Sequence, residues 1–388
     1  MTLTPITKTS ELEALVQKLK SSDYLTIDTE FLRTTTFFAK LCLIQVANDE
    51  CSHIIDPLAE GIDLTSFYEL MDGGPIKVFH ACRQDLEIFY HAMGKVPHPI
   101  FDSQVAAMVC GYGDSAGYET LVKSIARESI DKSIRFTDWS LRPLNERQLD
   151  YAISDVTHLR VIYKHLADKL EQSGRTNWLQ EEFNILTSES TYKIVPENAW
   201  KRIKCKSNNR RFLAYVQALA AFRENEAQNR DVPRNRIMRD DLLLSIAAHP
   251  PTDISKLGHI KGLSKRYANG DAAKQFFAAI QSVVKMPDDQ LPAPSPKRNM
   301  SSGFDRSGPS LDLLKVLLKL KCSENEVASK LVANSNDLEA LAQGDTKDLK
   351  CLTGWRYDVF GRDAELLMQG KLGMVVKGKN IELTETSS

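Results

Sequence analysis

Two acidic side chains stand close together in a short apolar segment near the start of the chain. Asp28 and Glu30 lie in the segment YLTIDTEF, whose alternation of residue types predicts a β-strand. Side chains two residues apart on a strand point to the same face, so the two carboxylates should be neighbours. Neighbouring carboxylates repel each other, and they are stable together only where they reach water or where a cation lies between them. The pair therefore indicates either a solvated strand face or a metal site.

Two later segments place further functional side chains on helices. In VFHACRQDLEIF a short apolar strand ends near His80, and Asp85 lies in the first turn of the helix that follows. In LDYAISDVTHL, Tyr151 and Asp155 are four residues apart and so share one face of a helix. Each segment alone has an ordinary explanation in packing or solvation. Their order along the chain is what points to a single site.

This ordered set resembles the DEDD superfamily of 3′–5′ exonucleases, in the branch that carries a tyrosine, and within it the ribonuclease D family. The resemblance covers roughly residues 5 to 170 and extends through HACRQDL and TDWSLRPLNERQLDYAISDVTHL. It implies a ribonuclease H-like α/β domain, with a mixed sheet flanked by helices, that removes nucleotides from RNA 3′ ends as 5′-monophosphates. The catalytic residues that it implies are Asp28, Glu30, Asp85, Tyr151 and Asp155, of which the four carboxylates are also the metal ligands.

The implied reaction explains why the site is built from carboxylates. Phosphodiester hydrolysis needs an activated water and charge relief for the leaving 3′ oxygen, and two divalent cations supply both. Mg2+ and Mn2+ prefer oxygen ligands, which favours Asp and Glu over His and Cys. By resemblance, Asp28, Glu30 and Asp155 hold one ion, Asp28 bridges to the second, and Asp85 completes the second directly or through water. Tyr151 orients the attacking water, because a phenol with a pKa of about 10 is a poor base.

Two residues beside these segments are open to two interpretations. His80 could contact the substrate, or it could pack as an ordinary residue at a strand end. Asp102 could add an acid near the metals, or it could cap the helix that begins at Ser103.

The elements that position the site follow from hydrophobic patterning. Strands are predicted at 24–31, 40–47 and 52–57 as an antiparallel meander, followed by alternating strands and helices, with a helix at 83–93 and a longer one at 145–171. After about residue 195 the strand signals almost vanish. Helices are predicted there at 208–229, 239–249, 252–258, 271–285 and within 310–372.

The two helical blocks resemble each other weakly and resemble HRDC domains. RENEA at 223–227 has a counterpart in SENEV at 323–327, and KLGHIKGL at 256–263 aligns with DLKCLTGW at 348–355. A segment rich in Pro, Ser and Gly separates the blocks. We therefore expect two all-α HRDC-type domains. The predicted division is an exonuclease domain at 1–195, a first HRDC-like domain at 196–288, a linker at 289–309 and a second HRDC-like domain at 310–388.

Positive charge is concentrated in the first helical block. Between residues 201 and 240 there are eleven Lys and Arg against four Asp and Glu, although the whole chain has a net charge of −1. This excess fits a polyanion partner, and by resemblance that partner is RNA, tRNA precursors above all. The residues expected to grip RNA phosphates are Arg210, Arg211, Arg234, Arg236 and Arg239.

Composition excludes several other classes of protein. Seven scattered cysteines without a CxxC pair argue against a disulfide framework and a cysteine-rich zinc site. The sequence has no long apolar span and no phosphate-binding GxxxxGK[ST] loop, so we expect a cytoplasmic monomer without a nucleotide cofactor. A DNA 3′–5′ exonuclease of the proofreading or repair type remains an alternative on the same fold. A non-catalytic RNA-binding scaffold is disfavoured, because all five site residues are present.

Overall fold

The structure of the protein is a computed structural model that describes residues 4–134, 137–293 and 308–386. Its contacts divide the chain into two units. The first unit contains the described residues of 1–30, 42–191 and 301–388. The second unit contains the described residues of 192–300 together with a short excursion from the N-terminal half, Phe31–Leu41. Residues 294–307 of the predicted linker lie outside the described residues.

The described residues up to 191 form one sheet and seven α-helices. The strands are β1 Tyr24–Leu32, β2 Lys40–Ala47, β3 Ser52–Ile55, β4 Asp72–Phe79 and β5 His98–Asp102. The helices are α1 Thr9–Leu19, α2 Thr65–Met71, α3 Arg83–Met93, α4 Ser103–Val109, α5 Tyr118–Leu121, α6 Glu146–Gln172 and α7 Gln180–Thr187. A π-helical stretch, Val122–Ala126, follows α5 directly.

The sheet places the acidic strand at its centre, in the order β3-β2-β1-β4-β5. Strands β2 and β3 are antiparallel, whereas β1 pairs in parallel with β4, and β4 with β5. The predicted mixed sheet flanked by helices is therefore confirmed. Tyr24, Leu25 and Ile27 of β1 are buried, since a central strand is covered on both faces. The acidic end of β1 thus continues directly from a buried segment of the same strand.

The second unit is helical, as predicted, and contains α8 Arg210–Asn229, α9 Arg234–Ile237, α10 Asp240–Ala248, α11 Lys265–Ala268 and α12 Gly270–Val284. The helix predicted at 252–258 is a 3₁₀ helix, Ile254–His259. Pro250 and Pro251 precede it and Gly262, with φ of +90°, follows it. These breaks leave too few residues for several α-helical turns, so the shorter 3₁₀ form results.

The C-terminal block was predicted to be all-α, and this prediction is wrong for its last residues, which form two β-strands. It contains α13 Gly308–Glu324, α14 Ser329–Val332, α15 Ser335–Ala342, α16 Gly354–Arg356 and α17 Arg362–Met368, followed by an antiparallel hairpin of β6 Leu372–Lys377 and β7 Asn380–Glu385. The segment LGMVVKGKNIELTE alternates with a period of two, and Gly378 at φ of +65° supplies the turn.

The C-terminal block packs directly against the helices that close the sheet. Trp178 and Trp355 stack face to face, with ring centroids 4.2 Å apart and planes 5° from parallel. Arg356, only 1% exposed, donates to the Glu182 carboxylate at 2.8 Å and also pairs with Glu181. These contacts explain why the block belongs to the first unit.

Candidate active site

Three carboxylates converge where β1 faces α6. Each of Asp28, Glu30 and Asp155 offers an oxygen, and these oxygens all lie within 4.8 Å of one another. Asp28 and Glu30 come from one face of β1, as strand alternation predicts, and Asp155 comes from the middle of α6. Asp85 lies outside this 4.8 Å group, and its carboxylate accepts a hydrogen bond from the Thr29 hydroxyl.

Thr26 joins the two elements that carry the three carboxylates. Its hydroxyl donates to the Val156 carbonyl of α6 at 2.9 Å and lies 3.2 Å from the Ala47 carbonyl of β2. Thr26 is fully buried and precedes Asp28 by two residues, so it shares that face of the strand. The alternation Thr26, Asp28, Glu30 was visible in the sequence, but the partner on a helix 130 residues away was not.

The turn between β4 and α3 aims Asp85 towards the site. Ala81 in this turn has φ of +55°, a conformation that costs a non-glycine residue roughly 1–3 kcal/mol. Asp102 compensates by accepting the Cys82 N–H at 2.8 Å and the Ala81 N–H at 3.2 Å. It also accepts the Gln104 N–H at 2.8 Å and so caps α4. Of the two interpretations of Asp102, the geometry favours the structural one.

Tyr151 is held by the loop that leads into α6. Asn145 and Gln148 form a reciprocal capping box that fixes the start of the helix. The buried Trp139 ring lies 6.1 Å from the Tyr151 ring, at an interplanar angle of 31°. Arg142 locks the loop, because its guanidinium pairs with both oxygens of Asp56, at 2.6 and 2.7 Å. Tyr151 is thereby packed against a loop residue, Trp139, and the ion pair of Arg142 joins the same loop to Asp56.

His80 lies beside Ser103 and Tyr118. Its Nδ1 lies 3.0 Å from the Ser103 hydroxyl, and its ring lies 5.2 Å from that of Tyr118. Burial lowers the pKa of His80 and outweighs the opposing effect of Asp102. The Tyr118 hydroxyl in turn donates to the Asp155 backbone carbonyl. Sequence reasoning missed Tyr118, since nothing in its local pattern points to helix α6.

Burial and mutual repulsion disfavour the ionised carboxylates. Burial, and then the nearby Asp155 charge, raise the pKa of Asp28 well above its ordinary value. Burial, and then Asp28, do the same to the pKa of Asp85. Burial raises the pKa of Asp155 to about 7, although a hydrogen bond from Tyr151 opposes the shift. Burial and the surrounding carboxylates also raise the pKa of Tyr151, so its phenol stays protonated. Ionisation of these carboxylates in the folded protein is therefore costly unless a cation lies among them.

The donor set fits a hard divalent cation. All the converging atoms are carboxylate oxygens, which Mg2+ and Mn2+ prefer. Asp155 Oδ1 is buried and, within the part of the chain that the structure describes, has no hydrogen-bond partner. A buried acceptor left without a partner is costly, and a cation would remove that cost.

The five arginines expected to bind RNA differ in their surroundings. Arg210 donates to the Leu291 carbonyl at 2.5 Å, and Arg211 pairs with Asp288 at 2.6 Å. Arg234 is bound to a buried glutamate within its own unit. These three arginines are engaged in holding the helical unit together.

The other two arginines of the set face solvent. Arg236 and Arg239 are both exposed, and Arg239 lies 3.4 Å from the equally exposed Asp241. They are the members of the set best placed to meet phosphates.

Comparison with protein families defines the class of this protein. The family model of a 3′-5′ exonuclease matches residues 3–171, and the HRDC domain model matches residues 212–280. Fold and site thus define a 3′–5′ exonuclease that carries an HRDC domain. The curated ribonuclease D of Jannaschia sp. is 47% identical over 388 residues, covering 98% of this chain and 99% of the relative. The chain belongs to the ribonuclease D family, and it is an exoribonuclease.

Further relatives agree over the whole chain. The ribonuclease D of Granulibacter bethesdensis is 46% identical, covering 99% of this chain and 97% of the relative. Among solved structures, Escherichia coli RNase D, an exoribonuclease involved in structured RNA processing, superposes with a TM-score of 0.78 at 28% identity. That match covers 95% of this chain and 99% of the other. The predicted exonuclease and the first HRDC domain are confirmed, whereas a second HRDC domain stays a prediction.

Within the described ranges, no helix combines the length and the apolar content that crossing a membrane requires.

Proposed function

We propose that the converging carboxylates are the hydrolytic centre of this exoribonuclease, releasing nucleoside 5′-monophosphates one at a time from RNA 3′ ends. The observation that carries the proposal is the approach of Asp28, Glu30 and Asp155 within 4.8 Å, with one oxygen of Asp155 buried and lacking a partner among the described residues. Carboxylates gathered in this way beside the central strand destabilise the fold unless a cation lies among them, which supports a metal-dependent site.

The ligands divide between two divalent cations, Mg2+ or Mn2+. Asp28, Glu30 and Asp155 would hold one ion, and Asp28 with Asp85 would serve the other. Bound ions supply the charge that acidifies the attacking water and offsets the leaving 3′ oxygen. The hydrogen bond from Thr29 keeps the Asp85 carboxylate close to the cluster, although Asp85 is not one of its three members. This placement suits a ligand that acts on the second ion, directly or through water.

Tyr151 acts as a hydrogen-bond donor and not as a base. Its raised pKa keeps the phenol protonated, and Asp155 accepts a hydrogen bond from it. A protonated phenol one helical turn from Asp155 can orient the attacking water, because its oxygen can accept a hydrogen bond from that water while its proton is donated to Asp155. The contact with Trp139 supports this role, because it restricts the positions that the Tyr151 ring can adopt.

The substrate is structured RNA with an accessible 3′ end, and tRNA precursors fit this description. The support comes from the similar Escherichia coli RNase D, an exoribonuclease involved in structured RNA processing. The HRDC domain contributes phosphate contacts through exposed side chains, above all Arg236 and Arg239. His80, Asp102, Arg210, Arg211 and Arg234 would then support the fold around the RNA path.

The domain division is part of the same proposal: exonuclease 1–195, HRDC domain 196–288, linker 289–309 and a second HRDC-like block 310–388, in a monomer. The second block then stabilises the exonuclease domain, against which it packs through Trp355 and Arg356. Unequal roles for the two blocks follow, since the first binds RNA and the second stabilises the nuclease.

A comparison of matched oligonucleotides tests the proposed substrate and direction. RNA and DNA of one sequence, labelled at the 5′ end, are incubated with the protein and either Mg2+ or Mn2+. We expect RNA to shorten stepwise from its 3′ end, much faster than DNA, with 5′-monophosphates as the released product. Equal degradation of DNA, or release of 3′-monophosphates, would contradict the proposal.

A further inference from the structure

The loop between β1 and β2 is packed into the second unit and not into the sheet. Residues 33–39 follow directly on the strand that carries Asp28 and Glu30. Phe37, at the far point of this loop, is 3% exposed and belongs to the same hydrophobic core as helices α8, α10 and α12. A residue of the nuclease sequence is thus a core residue of the HRDC unit.

Asp231 fixes the backbone of this loop. One of its carboxylate oxygens accepts both the Phe37 N–H at 2.9 Å and the Phe38 N–H at 3.0 Å. Asp231 itself has φ of +45°, in the turn between α8 and α9. Two hydrogen bonds to an ionised acceptor hold a peptide more firmly than neutral ones do. The loop therefore cannot shift without breaking contacts to the HRDC domain.

Arg234 completes the anchor from the other side. Its guanidinium lies 4.5 Å from the centre of the Phe37 ring, in a cation–π contact. The same group pairs with Glu224, which is 1% exposed, through Nε at 2.6 Å and through Nη2. Because Arg234 neutralises a buried carboxylate and covers Phe37, its position is fixed by the fold.

We propose that Asp231, Phe37 and Arg234 form a clamp that positions the end of β1, and with it Glu30, for catalysis. The HRDC domain would then act on the chemical step as well as on RNA binding. Asp231 and Arg234 are positioning residues in this account, since they act through the loop. The inference rests on the proposed role of Asp28 and Glu30 as metal ligands.

The clamp matters because the carboxylates of the site repel one another. Asp28, Glu30 and Asp155 are packed within 4.8 Å, so any slack in the strand end would let Glu30 move away. Displacements of about 1 Å at a reacting centre can lower rates roughly a hundredfold. Phe37 lies five residues after Leu32, the last residue of β1, so the anchored ring leaves only a short stretch of chain free to move at the acidic end of the strand.

Substitution of Asp231 tests the clamp without straining the turn. Asp231→Gly removes the acceptor and leaves a residue that adopts positive φ freely, whereas Asp231→Asn keeps an acceptor oxygen. For Asp231→Gly we expect kcat on a short RNA to fall about tenfold with KM changed less than about twofold, and a higher Mg2+ concentration at half-maximal rate. Asp231→Asn should recover most of the lost kcat.

Asp348→Gly is a matched control, because Asp348 is also an exposed aspartate at positive φ, +55°, in the other helical block. We expect its kcat and KM to equal those of the unsubstituted protein. All variants are compared at a temperature well below their melting temperatures. A normal kcat in Asp231→Gly, or a rise in KM alone, would overturn the clamp. Persistent activity in Asp28→Ala would instead refute the proposed site, so the two failures are distinguishable.

Discussion

Substitution of Asp155 by asparagine should stabilise the metal-free protein at neutral and alkaline pH. Burial raises the pKa of Asp155 from 3.8 to about 7. The folded state therefore retains a proton that the unfolded chain has already lost between pH 4 and pH 7. In that window the free energy of unfolding falls as the pH rises, because the unfolded state binds fewer protons than the folded state. Asparagine carries no charge at any pH and abolishes this loss.

The magnitude follows from the size of the shift. One pKa unit corresponds to about 1.36 kcal/mol, so a shift of about three units costs the folded protein on the order of 4 kcal/mol above pH 7. Asp155 is 7% exposed, so little of this is screened by solvent. The asparagine oxygen can still accept the hydrogen bond from Tyr151, which keeps the comparison close to a pure change of charge.

Urea unfolding in EDTA, at pH 8 and at pH 4, measures the effect. We expect Asp155→Asn to unfold at higher urea than the unsubstituted protein at pH 8, with the difference vanishing at pH 4. Asp150→Asn, an exposed position on the same helix, should change stability by less than about 0.5 kcal/mol at either pH. Saturating Mg2+ should reverse the order at pH 8, since only the intact cluster gains full binding energy. A metal-free Asp155→Asn protein less stable than its parent at pH 8 would refute the reasoning.

Three further predictions concern the anchor of the C-terminal block, the RNA contacts and the tyrosine. Arg356→Ala should lower the free energy of unfolding by roughly 2–4 kcal/mol, because the carboxylates of Glu181 and Glu182 lose their buried guanidinium partner. It should also weaken the near-ultraviolet circular dichroism of the stacked tryptophans, and an unchanged melting temperature would contradict this prediction. The double substitution Arg236→Ala and Arg239→Ala should raise KM and leave kcat unchanged. It should also reduce the slope of log RNA affinity against log salt concentration by about two, measured by fluorescence anisotropy of labelled RNA. An unaltered slope would exclude phosphate contacts at these two arginines. Tyr151→Phe should lower kcat roughly 10- to 100-fold, and hydrolysis should still be measurable in single-turnover assays. Complete loss of hydrolysis would instead make the phenol a required proton carrier.

The elements and the acidic cluster were predictable because they depend on local pattern. Strand alternation places Asp28 and Glu30 on one face, and helical spacing places Tyr151 and Asp155 together, whatever the rest of the chain does. The family resemblance then joins these pieces into one site. The structure adds the convergence of three carboxylates within 4.8 Å and shows Asp85 outside that group, hydrogen-bonded to Thr29.

The main contacts that the sequence did not reveal join residues that are far apart in the chain. Thr26 reaches α6 across 130 residues, and Phe37 leaves the nuclease sequence to enter the core of the HRDC unit. Charge counting identified a basic segment, but it could not distinguish Arg234, which neutralises a buried glutamate, from Arg236, which faces solvent. That distinction depends on which acidic side chains the fold buries nearby.

Turnover of a 5′-labelled RNA by Asp28→Asn tests the central claim most directly, because this substitution removes one charge from the cluster and keeps the shape of the side chain. The variant should fold, as judged by its melting temperature, and should bind RNA with nearly unchanged affinity. We expect its stepwise shortening of the RNA 3′ end to fall by at least about a thousandfold in Mg2+ or Mn2+. A turnover rate equal to that of the unsubstituted protein would show that hydrolysis takes place elsewhere in the molecule.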